Sequence, residues 1–256
     1  MEPPHPGGHA RRRKIKTARA DRDALETPHR QKKSMLCLFD IDGTLVDTRG
    51  AGMDSIVAAC REVFGDDGPP LDLAGATDLG LWEKLCAHHQ RDVRDAALAA
   101  SFFETYHRHL EHRLHAGDYP GGLIDGATAL IDALVATGHA ALGLLTGNTE
   151  RGARIKVRRH GIDHHFPFGA YGCDHADRNR LGPLALERAA RHHGRQFDPA
   201  ATWIIGDTPR DIACARAAGV QCLAVATGSF TTAELAAHRP DHVCESLAEA
   251  VSRLTS

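Results

Sequence analysis

The chain has 256 residues, 42% hydrophobic, 25% charged and 5% aromatic. These proportions exclude a collagen-like, low-complexity or disulfide-scaffold protein and leave a globular chain long enough to bury a sizeable core. The net charge of -2 divides unevenly: residues 1–33 hold ten basic and four acidic side chains, +6, leaving -8 on the remainder, a poor balance for a general nucleic-acid binder.

Residues 1–33 read Pro/Gly/His, then Arg11-Arg12-Arg13-Lys14, then mixed charge, with almost no apolar periodicity. They form a basic tail expected to be disordered, because such composition cannot offset the entropy of ordering. Met35, at the head of an apolar run, reads as an alternative natural start. From there the pattern changes. Runs at 35–40, 140–145, 168–171, 201–206 and 221–225 are short and apolar and end in Gly, Asp or Thr, as buried parallel strands do. Helical patterns lie between them at 122–137, 149–160, 183–193, 209–218 and 231–238. The fold class expected is α/β, a Rossmann-like doubly wound parallel sheet with helices on both faces. Segment 49–119 breaks the alternation: it offers helices at 51–64, 77–89 and 93–115 and no strand. It therefore reads as a helical cap domain inserted into a core made of 34–48 and 120–256.

Seven scattered cysteines with no C-x-x-C pair suit a reducing compartment and no structural disulfides. No apolar stretch follows the basic run at 10–19, so no secretory signal is expected, and no run approaches the roughly 18 residues of a membrane span. Cytoplasmic residence is expected, with no membrane partner. Of the eighteen histidines, His107, His109, His112 and His115 recur on one helical stretch. The i,i+3 pairs could ligate a metal, but the Arg/Glu-rich surroundings favour a solvated face.

Chemistry concentrates where strands end, the edge at which open α/β sheets bind ligands. The first strand leads into Phe39-Asp40-Ile41-Asp42-Gly43-Thr44, and alternation places Asp40 and Asp42 on the same side. Two crowded carboxylates call for a divalent cation, and Gly43 lets the chain turn sharply. Next, Thr146-Gly147-Asn148-Thr149 sets a hydroxyl and backbone N–H groups at a strand-to-helix junction, which suits an anion or, equally, a helix cap. Finally Gly206-Asp207-Thr208-Pro209-Arg210-Asp211 brings two more carboxylates to that edge. Hard oxygen donors of this kind suit Mg²⁺.

This order of motifs resembles the haloacid dehalogenase superfamily, in particular its phosphoglycolate-phosphatase-like members with a helical cap. The likeness runs from about Met35 to the C-terminus. Ala74-Gly75-Ala76-Thr77-Asp78 also resembles the Gly-x-Thr-Asp signature of those phosphatases. The resemblance implies a Mg²⁺-dependent phosphatase acting on a small phosphorylated metabolite, such as a phosphoglycolate-like monoester, through an aspartyl-phosphate. It implies Asp40 as nucleophile and metal ligand, Asp42 as acid/base with its carbonyl on the metal, and Asp207 and Asp211 at the metal. Thr146, Gly147 and Asn148 would hold the phosphoryl group. The family's usual third-motif Lys is missing. Alignment on Pro183 selects Arg180 instead, and alignment on Asp177-Arg178-Asn179 selects Arg178, the preferred choice because Arg can grip phosphate in bidentate fashion.

Other readings stand beside this one. A metal-free dehalogenase would lack Asp42, and a phosphonoacetaldehyde hydrolase needs a cap Lys, for which Lys84 is the candidate. A β-phosphoglucomutase-type mutase shares the core motifs. A non-enzymatic binding protein would use the basic tail. The expected assembly is a monomer or homodimer.

Overall fold

The computed structural model describes residues 34–116 and 119–255; the expectations for the 1–33 tail lie outside the described residues. In chain order the elements are β1 (Met35–Phe39), β2 (Val46–Asp47), α1 (Ala51–Phe64), α2 (Asp78–His88), α3 (Ala96–Ala116), β3 (Gly122–Leu123), α4 (Ala127–Ala136), β4 (Ala140–Leu145) and α5 (Glu150–Arg159). Then follow β5 (Gly169–Ala170), α6 (Leu181–His193), β6 (Thr202–Gly206), α7 (Pro209–Ala218), β7 (Gln221–Val225), α8 (Thr232–Ala237), β8 (His242–Cys244) and α9 (Leu247–Thr255).

Six strands form one sheet in the order β5-β4-β1-β6-β7-β8, and every neighbouring pair is parallel. The period-2 alternation of β1 explains the layering. Cys37 and Phe39 face a core shared with Leu130, Ile131 and Leu134 of α4, Val157 of α5 and Leu247 of α9. Leu36 and Leu38 face the opposite core, with Leu181 of α6, Ile212 of α7 and Leu235 of α8. From β1 the chain builds outward through β4 and β5, then crosses to β6 on the other side. Open parallel sheets bind ligands at such a switch point, where β1, β4 and β6 end side by side.

The elements differ from expectation in three places. Residues 122–137 are not one helix: Gly122–Leu123 pair antiparallel with Val46–Asp47, and α4 starts only after Gly126, whose φ of 85° ends the extended stretch. Strand β8 and helix α9 extend the sheet and its cover beyond the predicted elements. Strand β5 is two residues rather than four.

Helices α1, α2 and α3 build their own apolar core. Trp82, 1% exposed, sits among Leu85, Phe102, Tyr106 and Leu110. Its ring centroid lies 5.5 Å from that of Phe102 and 6.0 Å from that of Phe103, and its indole N–H donates to the Val93 carbonyl at 3.1 Å. Lys84 is exposed on α2. His107 departs from the solvated histidine face: it is buried and its Nε2 lies 2.6 Å from Thr149 Oγ1. His109 instead meets Glu62, and His112 and His115 are exposed. Among the described residues no helix is long and apolar enough to cross a membrane.

Candidate active site at the carboxyl edge of the sheet

Asp40 follows β1 directly. One of its oxygens accepts the Ile41 N–H at 2.7 Å, and the other lies 3.0 Å from a guanidinium nitrogen of Arg178. Asp207 leaves β6 beside it, and Thr44 Oγ1 donates to its Oδ1 at 2.9 Å. Two glycines make room for this carboxylate: a Cβ on Gly43 would stand 2.4 Å from Asp207 Oδ2, and one on Gly228 only 1.8 Å. Gly43 also has φ +76°, so the turn and the close approach both demand glycine there.

Asp211, in the first turn of α7, is fully buried. Its Oδ2 accepts the backbone N–H of Thr208 at 3.1 Å and the Thr208 hydroxyl at 2.7 Å, closing a capping box. Its Oδ1 accepts a hydrogen bond from Arg178. Asp211 thus fixes the helix start and the arginine together, while its carboxylate stays within 4.8 Å of donor oxygens on Asp40 and Asp207.

Arg178 lies 5% exposed in a short 3₁₀ turn, Arg178–Arg180, where the Asp177 side chain accepts the Asn179 N–H. Its Nε is buried without a hydrogen-bond partner, and one terminal guanidinium nitrogen donates to the Gly75 carbonyl at 3.5 Å. Arg180, two residues on, is exposed and does not line the cavity. Of the two arginines the alignments offer, Arg178 is the one that lines the cavity.

Electrostatics explains what the cluster lacks. Burial pushes Asp40 up to about 6, with Arg178 opposing the rise and Asp211 and Asp42 adding to it. Burial also pushes Asp207 up to about 8, with further repulsion from Asp211 and Asp40. The one guanidinium reaches Asp40 and Asp211, and among the described residues Asp207 has no cationic partner. The hard oxygens of the three carboxylates could hold a divalent cation such as Mg²⁺.

Asp42 stands apart from the other three. Its Oδ1 and Oδ2 accept from Lys156 Nζ at 2.8 and 2.6 Å, and its Oδ2 accepts from Asn148 Nδ2 at 2.7 Å. The same ammonium reaches Asn148 Oδ1 at 2.6 Å, and Asn148 Nδ2 also donates to Thr146 Oγ1 at 2.8 Å. Thr146, Asn148 and Asp42 therefore form one network anchored by Lys156, a residue the motif reading omitted. A signal for it existed. Lys156 occupies the inward face of α5 with Ala153 and Val157, and a lysine at an apolar-face position needs an anionic partner.

The Gly75–Asp78 loop seats on the sheet edge. Asp78 N donates to the Gly147 carbonyl at 2.7 Å, and Leu79 N to that of Gly172 at 3.0 Å. Thr77 Oγ1 donates to the Ala176 carbonyl at 2.6 Å, and Asp78 Oδ2 accepts from Thr149 N at 2.6 Å. A Cβ at Gly147 would lie 1.7 Å from the Ala76 carbonyl oxygen, so this contact requires glycine. Burial pushes Asp78 up to about 6. Between edge and helices lies a cavity of about 480 Å³, lined by Asp40, Asp42, Asn148, Lys156, Arg178 and Asp207 on its polar side.

A doubly wound parallel sheet thus gathers Asp40, Asp207 and Asp211 at its switch point. Residues 179–250 match the HAD-hydrolase-like family profile. The chain is 33% identical over 217 residues to a 5'-nucleotidase of Pseudomonas aeruginosa, covering 82% of this chain and 91% of that protein. It is 27% identical to a phosphoglycolate phosphatase of Synechococcus elongatus, over 85% and 96% of the two chains. The crystal structure of a hydrolase from Pseudomonas syringae superposes with a TM-score of 0.65 at 19% identity, covering 88% and 100%. The chain belongs to the haloacid dehalogenase superfamily, among its phosphoglycolate-phosphatase-like hydrolases, and is a phosphoric monoester hydrolase.

Proposed function

We propose that the protein is a Mg²⁺-dependent phosphatase that turns over a small phosphorylated metabolite in the cytoplasm through an aspartyl-phosphate on Asp40. The observation that carries this reading is the convergence of Asp40, Asp207 and Asp211 on one buried point beside Arg178. Asp40, Asp207 and the backbone carbonyl of Asp42 would hold Mg²⁺, with Asp211 orienting the group from behind. When bound, the ion supplies positive charge against the substrate phosphate.

The chain's own residues divide the work. Arg178, with its unpartnered Nε, and Thr146 with the N–H groups of Gly147 and Asn148 hold the phosphoryl oxygens. The Asp40 carboxylate attacks phosphorus as the bond to the leaving oxygen breaks, and Asp42 gives that oxygen a proton. Asp42 then takes a proton from water as it attacks the phosphoenzyme, releasing phosphate and restoring Asp40. Lys156 holds the Asp42 carboxylate toward the cavity throughout. Segment 49–119 acts as the cap that closes over this chemistry and excludes bulk water.

Hydrolysis of p-nitrophenyl phosphate should stop in EDTA and return with added Mg²⁺. Undiminished turnover in thoroughly metal-free buffer would remove the metal from this account.

A further inference from the structure

The names of the relatives span two very different leaving groups, a two-carbon acid and a nucleoside. Phosphate handling is common to both, so the discriminating feature is the cavity wall beyond the phosphate.

Among the described residues lining that cavity, Lys156 and Arg178 are the two cations, and both are committed. An ammonium has three N–H donors, and those of Lys156 are matched by Asp42 Oδ1, Asp42 Oδ2 and Asn148 Oδ1. Arg178 is held by Asp40 and Asp211, which ties it to the acidic cluster. Five carboxylates line the same cavity: Asp40, Asp42, Asp47, Asp78 and Asp207. In phosphoglycolate a single methylene separates the carboxylate from the ester oxygen, so a substrate carboxylate would lie beside Asp42 with no unpaired cation to receive it. The lining also includes apolar side chains, Met53, Ile56, Leu73, Tyr106 and Phe230 among them, with Thr48 and Ser229. The cavity's size, about 480 Å³, falls within the range that encloses drug-sized ligands; a two-carbon leaving group would leave most of it empty.

We infer that the substrate is a phosphate monoester of a bulky, uncharged, partly apolar alcohol, of which a nucleoside 5'-monophosphate is the probe class, and that a carboxylate next to the ester is selected against. This rests on the phosphatase reading above. It departs from the phosphoglycolate-like substrate that the motifs alone imply.

The test compares kcat/KM in Mg²⁺ for phosphoglycolate, for 2-hydroxyethyl phosphate, its neutral counterpart of equal length, and for uridine 5'-monophosphate. A substrate carboxylate with no unpaired cation to receive it should cost phosphoglycolate about tenfold or more against 2-hydroxyethyl phosphate, and the nucleotide should exceed both. Phosphoglycolate as the preferred ester would overturn the inference. So would a Lys156→Met variant that loses phosphoglycolate turnover selectively, because Lys156 would then be leaving Asp42 to bind the substrate; equal losses on the charged and neutral esters support the inference. If no monoester is turned over, p-nitrophenyl phosphate included, the phosphatase reading fails separately. Calorimetric titration of the unaltered protein with the same three esters then decides: tighter binding of the nucleotide supports the inference and tighter binding of phosphoglycolate refutes it.

Discussion

The carboxyl edge of the sheet and the helical segment facing it bury their residues on opposite terms. At the edge, Asp40, Arg178, Asp207 and Asp211 are each no more than 5% exposed, so the site concentrates charge where burial penalises it most. Across the cavity, Trp82, Leu85, Phe102 and Leu110 fill an apolar core, and the charged groups of that segment pair at its surface, as Arg61 does with Asp67 and Arg108 with Glu62. Stability and chemistry are thus separated in space. Damage to the helical core should cost folding, and damage to the polar network should cost turnover.

Trp82→Ala should have the largest effect. It empties a large site packed by Phe64, Phe102 and Phe103, and losses of about 3–5 kcal/mol are typical of such truncations. Chemical denaturation should show this while kcat for p-nitrophenyl phosphate, measured cold, changes little. A large kcat loss with normal stability would erase the division between the two regions.

Lys156→Met is the converse. Asp42 is 43% exposed and stays hydrated without its partner, so the fold should hold, but its carboxylate loses its orientation. Turnover of an alkyl phosphate, whose leaving group needs a proton, should fall about 100-fold, the scale of a lost general acid. p-Nitrophenyl phosphate, with its better leaving group, should lose less. In an Asp42→Asn background the same substitution should add nothing; additive losses would mean that Lys156 acts elsewhere.

The smallest effect lies where the regions touch. Burial, with Arg151 adding, pushes His107 down from its ordinary 6.5 to about 4, so the folded state keeps this imidazole neutral beside Thr149. On unfolding it takes up a proton between those two values. The unfolded state binds more protons in that window, and stability present above 6.5 is lost as pH falls toward 4. The contribution is at most about 3 kcal/mol, and His107→Gln should flatten that part of the curve. An unchanged slope in the variant would place the titration on another group.

The same contrast governs what was legible from sequence. Strands β1, β4, β6 and β7 stand out because an apolar run ending in Asp, Gly or Thr is uncommon outside a buried sheet, and their ends carry Asp40, Thr146 and Asp207. The helices of 49–119 are equally clear from their periodicity. Strands β2, β3 and β8 are two or three residues long, too short for any alternation to register. Lys156 and His107 were hidden for another reason. Each is a polar residue on an inward helix face, and its partner lies far away in sequence, Asp42 for one and Thr149 for the other. Arg178 and Arg180 are equivalent by composition, and only the path of a three-residue turn buries one and exposes the other.

The claim that this edge acts through a covalent phosphoenzyme meets its most direct test in rapid acid quench during turnover of p-nitrophenyl phosphate with Mg²⁺, followed by peptide mapping. Phosphate labile to hydroxylamine should appear on the peptide carrying Asp40, and both label and turnover should vanish in Asp40→Asn. Ordinary turnover by that variant, or label on a different residue, would contradict the account.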